Sequence, residues 1–149
     1  MKALAAFLAG VSAGALDYAW LTVAHYQAHD FTWPYQAARL LLLGQNPYTD
    51  LHLAGGPAFA DPFFYPLPAA LVAIPFAPLP AELAGALWAA LGAGLLTYAV
   101  LDRASHLWPL LLSAPFVIAT RNAQWSPLLL ALSLLSPAEI GRASCRERV

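Results

Sequence analysis

The ionisable side chains of this chain crowd into one stretch. His25, His29, Asp30, Arg39, Asp50, His52 and Asp61 all lie between His25 and Phe64, the only long polar region of an otherwise apolar sequence. Within it runs DFTWPYQAARLLLLGQNPY, from Asp30 to Tyr48. A carboxylate at the head of a surface helix suits acid/base work. With an ordinary pKa of about 3.9 it is ionised at neutral pH, and it takes a proton from a weak acid only as a neighbouring bond forms. Metal chemistry has no support: the three histidines are scattered, and no Asp-x-Asp pair occurs. The single cysteine, Cys145, excludes an internal disulfide framework and a multi-cysteine metal site. No metal and no cofactor are expected. Plainer roles stand beside the chemical ones. Asp30 could cap the helix after it, Arg39 could snorkel from an interfacial helix, and each histidine suits a solvated loop.

The medium around these residues is set by composition. Of 149 residues, 60% are hydrophobic and 10% charged, with mean hydropathy +0.62. A soluble domain carries about 25% charged residues. Too little polar surface exists to cover a globule, so membrane lipid is the expected partner. A formal net charge of −1 with no basic block argues against nucleic acid. The C-terminal Glu139 to Val149, EIGRASCRERV, breaks from the apolar run before it and looks like a translated sequencing adaptor. The expectation is therefore a natural part of 1–138, the beginning of a longer membrane domain, with 139–149 an artefact tail; the alternative is a genuine basic tail. Without that tail the net charge is −2, from four Lys/Arg and six Asp/Glu.

The elements that must position the polar stretch are apolar. Ala3 to Val23 is a first spanning segment of 21 residues, about 31 Å as a helix and enough for a hydrocarbon core; a signal peptide is the alternative. Lys2 favours a cytoplasmic N-terminus. Asp17, inside the span, would be costly unless paired or wetted, and a structural hydrogen bond is its simplest role. Pro34 fits the first turn of a short interfacial helix that Gly44 ends, with a turn next at Gln45 to Tyr48. Phe63 to Pro80 holds five prolines in 18 residues, which suits a juxtamembrane or re-entrant helix better than a span. Leu83 to Leu101 is a clean span. Ala104 to Thr120 is a third candidate, interrupted by His106, Pro109 and Pro115, and Trp125 to Ala138 begins a fourth. Arg121 to Gln124 links the last two. If 63–80 does not cross, Arg103 lies on the side of the N-terminus, and Arg121 and Gln124 share the side of Asp30.

Taken in order, the motifs form a pattern. Asp30-Phe31 leads to Tyr35, Ala37 and Ala38, then to Gly44-Gln45-Asn46-Pro47-Tyr48, then to Phe63, Tyr65 and Pro66, with Trp88 in a later span. This resembles the GT-C superclass of membrane glycosyltransferases, most nearly glycosyltransferase family 87, the polyprenyl-phosphate-mannose-dependent α-mannosyltransferases. Two departures stand out: Ala123 replaces the glycine of the family's Gly-Gln turn, and Tyr65-Pro66-Leu67 stands where members often carry Tyr-Pro-Pro. The resemblance implies an all-α, polytopic transmembrane bundle, truncated here, with juxtamembrane helices in the first outer loop. It implies inverting transfer of a mannose-like hexose from a polyprenyl-phosphate donor to a glycan or glycolipid acceptor. The site would lie on the outer face of a bacterial cytoplasmic membrane.

Asp30 matches the family's base. Substrate contacts would come from His29, Tyr35, Arg39, Asn46, Tyr48, Tyr65, Arg121 and Gln124. The leaving lipid phosphate needs a nearby cation, for which Arg39, Arg121 and His25, His29 and His52 are candidates. The fragment alone is expected to be inactive. Two other classes stay open: a transporter or flippase, for which Asp17 is the one intramembrane charge, and a non-catalytic membrane subunit.

Overall fold

A computed structural model of the chain describes residues 1–23, 30–54 and 63–136, without the side chains of 52–54. His25, His29, the side chain of His52, Asp61 and the tail 139–149 lie outside the described residues. All regular structure among the described residues is helical. In order these are α1 (Lys2–Val23), α2 (Thr32–Leu42), α3 (Pro47–Ala54), α4 (Leu67–Ala73), α5 (Ala81–Arg103), α6 (Ala114–Arg121) and α7 (Ser126–Leu135), with 3-10 segments at Ile74–Phe76 and Ser105–Leu112.

Two of these helices, α1 and α5, are long and apolar enough to cross a membrane. They pack against each other through small residues. Ala6, Gly10 and Gly14 recur every fourth residue on α1 and meet Ala86, Ala90 and Gly94 on α5. A Cβ on Gly10 would lie 2.8 Å from the Ala90 carbonyl oxygen, and one on Gly14 2.9 Å from that of Ala86. Only glycine lets the backbones come this close, as in small-xxx-small pairs of membrane helices. The order of contacts makes the pair antiparallel: Ala6 faces Gly94, while Leu21 faces Gly85. At the far end Lys2 Nζ lies 3.3 Å from Asp102 Oδ1. That exposed pair adds little stability but agrees with the antiparallel order. The outer face of α1 stays apolar and uncovered, with Phe7 65% and Leu16 72% exposed.

Because α1 and α5 are antiparallel neighbours, the chain between them leaves and returns at one end of the pair. Phe63 to Pro80 accordingly does not traverse the pair. It forms the seven-residue α4 and one 3-10 turn, cut short by Pro75 and Pro78. The third candidate span is not one continuous helix. Extended Ser113 (ψ 148°) divides it into the 3-10 segment, with Pro109 inside, and α6. The Ser113 side chain accepts the Phe116 N–H and so starts α6 afresh. Then α7 runs beside α5, with Pro127 against Gly92 and Ala131 packed among Leu96, Ala99 and Val100.

The short helices are tied to this frame by aromatic packing. Phe31 stacks on Trp88, ring centres 4.5 Å apart and planes 10° apart, and Trp125 meets Trp88 at 4.6 Å with planes 60° apart. Tyr35, Ala38, Ala73, Ala77 and Ala123 complete this core. Helix α2 ends as Gly44 foretells: Gly44 has φ 72°, its N–H donates to Leu41 O, and the Gln45 N–H donates to Leu40 O. These two bonds make a Schellman cap. The expected turn at Gln45 to Tyr48 is instead the start of α3. Asn46 Oδ1 accepts the Tyr48 N–H at 3.0 Å, and Asp50 Oδ2 accepts the Asn46 N–H at 3.0 Å, a reciprocal cap that stabilises a short helix.

Candidate functional site

Asp30 sits just before α2, where the first residue outside the helix is Phe31, and no side chain caps that end. The capping role is therefore not used. Its backbone N–H donates to Asn122 O at 3.1 Å, which joins the loop before α2 to the turn after α6. With the described residues, the Asp30 carboxylate makes no hydrogen bond and no ion pair. It lines a cavity of about 610 Å³ with Tyr65, Gln124, Trp125 and Ser126. Pro66, Pro68, Ala69 and Val72 of the α4 region and Leu129 of α7 form the apolar walls. Val72 and Leu129, which line it, are both exposed, so the cavity is open along an apolar wall. The volume falls within the range of about 300–1,000 Å³ usual for small-molecule sites.

Tyr65 senses the carboxylate. Its phenol is raised above the ordinary tyrosine range, mainly by burial and then by the negative charge of Asp30. Tyr65 is held from behind, because the Tyr48 hydroxyl donates to its carbonyl oxygen at 3.1 Å. Trp88, against which Phe31 and Trp125 pack, is the eighth residue of α5, about 10 Å along the helix from its start. The cavity thus lies near one end of the α1–α5 pair.

The turn at 122–125 supplies the opposite wall. It is a second Schellman cap: Ala123 N–H donates to Thr120 O and Gln124 N–H to Ala119 O. Ala123 takes the left-handed conformation here, φ 47°, where glycine is the usual residue. That backbone costs an alanine about 1 kcal/mol, offset by packing its methyl, 1% exposed, into the aromatic core.

Of the residues expected at the site, Asp30, Tyr65 and Gln124 meet at the cavity, and Tyr48 stands behind Tyr65. Tyr35 does not reach it: the ring is buried and its hydroxyl donates to Leu79 O at 2.6 Å. Arg39 lies on the exposed side of α2 over the Tyr35 ring at 5.8 Å. The Asn46 carbonyl side-chain oxygen is engaged in capping α3. Arg121 points away to α1, its guanidinium carbon 3.9 Å from the centre of the Trp20 ring. The expected cation beside the carboxylate is therefore supplied by neither Arg39 nor Arg121, and His29 lies outside the described residues. Trp125 and Ser126 were missed, although they come directly after Gln124. No group of three or more His, Cys, Asp or Glu suited to a metal occurs among the described residues. No protein-family model, curated protein or solved structure matches the chain.

Proposed function

We propose that this chain belongs to an integral membrane glycosyltransferase of GT-C type that moves a mannose-like hexose from a polyprenyl phosphate to a glycan or glycolipid hydroxyl. The observation that carries the reading is the Asp30 carboxylate: it is uncommitted to capping or pairing with described residues and lines an open cavity whose other walls are largely apolar, the exposed Val72 and Leu129 among them. An isoprenoid donor needs this combination, since its tail stays in lipid while its sugar meets a polar group. In the reaction the acceptor oxygen bonds to the anomeric carbon as its proton passes to Asp30. The bond from that carbon to the phosphate oxygen breaks, and the lipid phosphate leaves with the electron pair. Attack opposite the leaving group inverts the anomeric centre. Gln124, Ser126 and Tyr65 offer hydrogen bonds for the sugar, and Trp125 offers an aromatic face.

In this reading α1 and α5 span a bacterial cytoplasmic membrane, with Lys2 and Arg103 inside and the Asp30 cavity at the outer boundary. The experiment is transfer of labelled hexose from a polyprenyl-phosphate donor by membranes carrying the gene with its own downstream sequence, beside membranes carrying the 149-residue chain. Asp30→Ala is expected to lower turnover by about a thousandfold, the scale of a lost general base. Normal turnover in that variant rejects Asp30 as the base. A transporter reading draws on one observation, the buried Asp17 in α1; it predicts sugar-lipid or ion movement without bond cleavage.

A further inference from the structure

Away from the Asp30 cavity, a groove of about 480 Å³ runs along one side of the α1–α5 seam. Its floor is the place where the two backbones meet: a Cβ on Gly10 would lie 3.4 Å from the Gly94 Cα. Phe7 and Val11 of α1 and Leu87 and Leu91 of α5 stand along it as walls. These four keep between 41% and 65% exposure, so no described segment closes over them. The groove is confined to one half of the helix pair. It runs from Ala3 to Val11 on α1 and from Leu87 to Tyr98 on α5, about 12 Å and about 16 Å of helix rise. One leaflet supplies about 15 Å, half of a hydrocarbon core of about 30 Å. The groove stops short of Asp17, which faces Gly85. Neither Asp17 carboxylate oxygen has a hydrogen-bond partner among the described residues, so the structural bond expected of it is absent.

The head of the groove is charged. Lys2 directly precedes Ala3, and Asp102 stands one helical turn beyond Tyr98 on the same stripe of α5. Lys2 Nζ and Arg103 Nε both bind the Asp102 carboxylate, at 3.3 Å and 3.0 Å. Two cations share one anion, which leaves an excess positive charge at the mouth. Both cationic side chains are 55% exposed, and both keep donors to spare. The ammonium uses one of its three N–H groups, and the guanidinium uses Nε and keeps those of its terminal nitrogens. A phosphodiester complements this arrangement with a single negative charge and several acceptor oxygens. We infer that the groove binds one anionic diacyl phospholipid of the inner leaflet, its phosphate on Lys2 and Arg103 and one acyl chain laid over Gly10 and Gly94. A second copy of the chain is a poor occupant. Copies in one membrane share their orientation, so a two-fold contact here would bring both excess positive charges together. A further helix would follow the seam across the whole bilayer, whereas the groove ends after one leaflet. The site needs α1 and α5 to span a membrane. It lies at the opposite end of the pair from Asp30 and goes beyond sugar transfer, which neither its success nor its failure touches.

The test is native mass spectrometry of the full chain in detergent micelles, titrated with phosphatidylglycerol or with phosphatidylcholine of the same acyl chains. One phosphatidylglycerol is expected to be retained, bound about tenfold more tightly than phosphatidylcholine. Lys2→Gln combined with Arg103→Gln alters only exposed side chains and leaves the seam intact. It should weaken phosphatidylglycerol by about tenfold, to the level of phosphatidylcholine. Ala3→Trp puts a ring into the mouth of the groove from an exposed position and keeps the charges; it should weaken both lipids. Equal retention of the two lipids by the wild-type chain, or undiminished phosphatidylglycerol in the charge variant, overturns the proposal. Undiminished binding in Ala3→Trp overturns it as well, because the acyl chain then lies elsewhere. So does a lipid-free dimer that Ala3→Trp breaks, or loss of retention once the gene's own downstream sequence is present, since either puts protein in the groove.

Discussion

At the scale of single residues, the proposed sugar transfer turns on the pair Asp30 and Tyr65, brought together from either side of α2 and α3. Their proximity is open to a measurement that needs no substrate. The Tyr65 phenol is raised by burial first and by Asp30 second. Its neutral form is favoured in the folded state, so the stability it contributes is fully present below the ordinary tyrosine pKa, about 10, and is lost as pH rises through the raised value. Alkaline titration monitored by tyrosinate absorbance should show Tyr65, identified by Tyr65→Phe, ionising late. Asp30→Asn should bring it part of the way back and leave the burial contribution. No change in the Asp30 variant would place the two groups apart. Asp30, Tyr65 and Gln124, which the family resemblance singles out in the sequence, line one cavity. Tyr35 and Arg39, singled out in the same way, do not line it. Which face of α2 turns inward depends on where Leu79 and Trp88 lie, and no local pattern in YQAAR records that.

At the scale of elements, the long helices were plain and their partners were not. Nineteen uncharged residues from Leu83 to Leu101 announce α5, and Gly44 announces the end of α2. The seam between α1 and α5 is carried by Gly10-Val-Ser-Ala-Gly14, a GxxxG spacing whose meaning depends on Ala90 and Gly94, some eighty residues away. The start of α3 was hidden because Pro47 reads as a turn, and the Asn46–Asp50 cap appears only in three dimensions. Ala123 shows the same limit: nothing local requires an alanine to take φ 47°, and the aromatic core beneath it supplies the reason. The seam gives a sharp prediction. Gly10→Val pushes a Cβ to 2.8 Å from the Ala90 carbonyl oxygen, which cannot swing away as a flexible side chain can. We expect it to destabilise the helix pair by about 1–3 kcal/mol in thermal unfolding in micelles, whereas Ser12→Val, on the exposed face of α1, should change little. Equal stability for both would refute the close antiparallel seam.

At the scale of the whole molecule, the antiparallel α1 and α5 divide the described chain into two ends. Lys2, Asp102 and Arg103 gather at one, and Asp30, Tyr65 and the 122–125 turn at the other. The proline-rich 63–80 segment stays at one end of the α1–α5 pair, and Arg121 and Gln124 share that end with Asp30. Exposed leucine, valine and phenylalanine side chains lie along α1, α4, α6 and α7, and Val72 and Leu129 among them line the cavity. The central claim is a carboxylate at the outer lipid boundary, within reach of both water and a donor that arrives through the bilayer. The measurement that tests this most directly is labelling of Asp30→Cys, in a Cys145→Ser background, by a membrane-impermeant maleimide on intact cells. An outer-face carboxylate predicts modification from outside, slowed when a polyprenyl-phosphate sugar is added, with Arg103→Cys reacting only after the membrane is opened. Labelling of position 30 only from the cytoplasmic side, or from neither side, would contradict it.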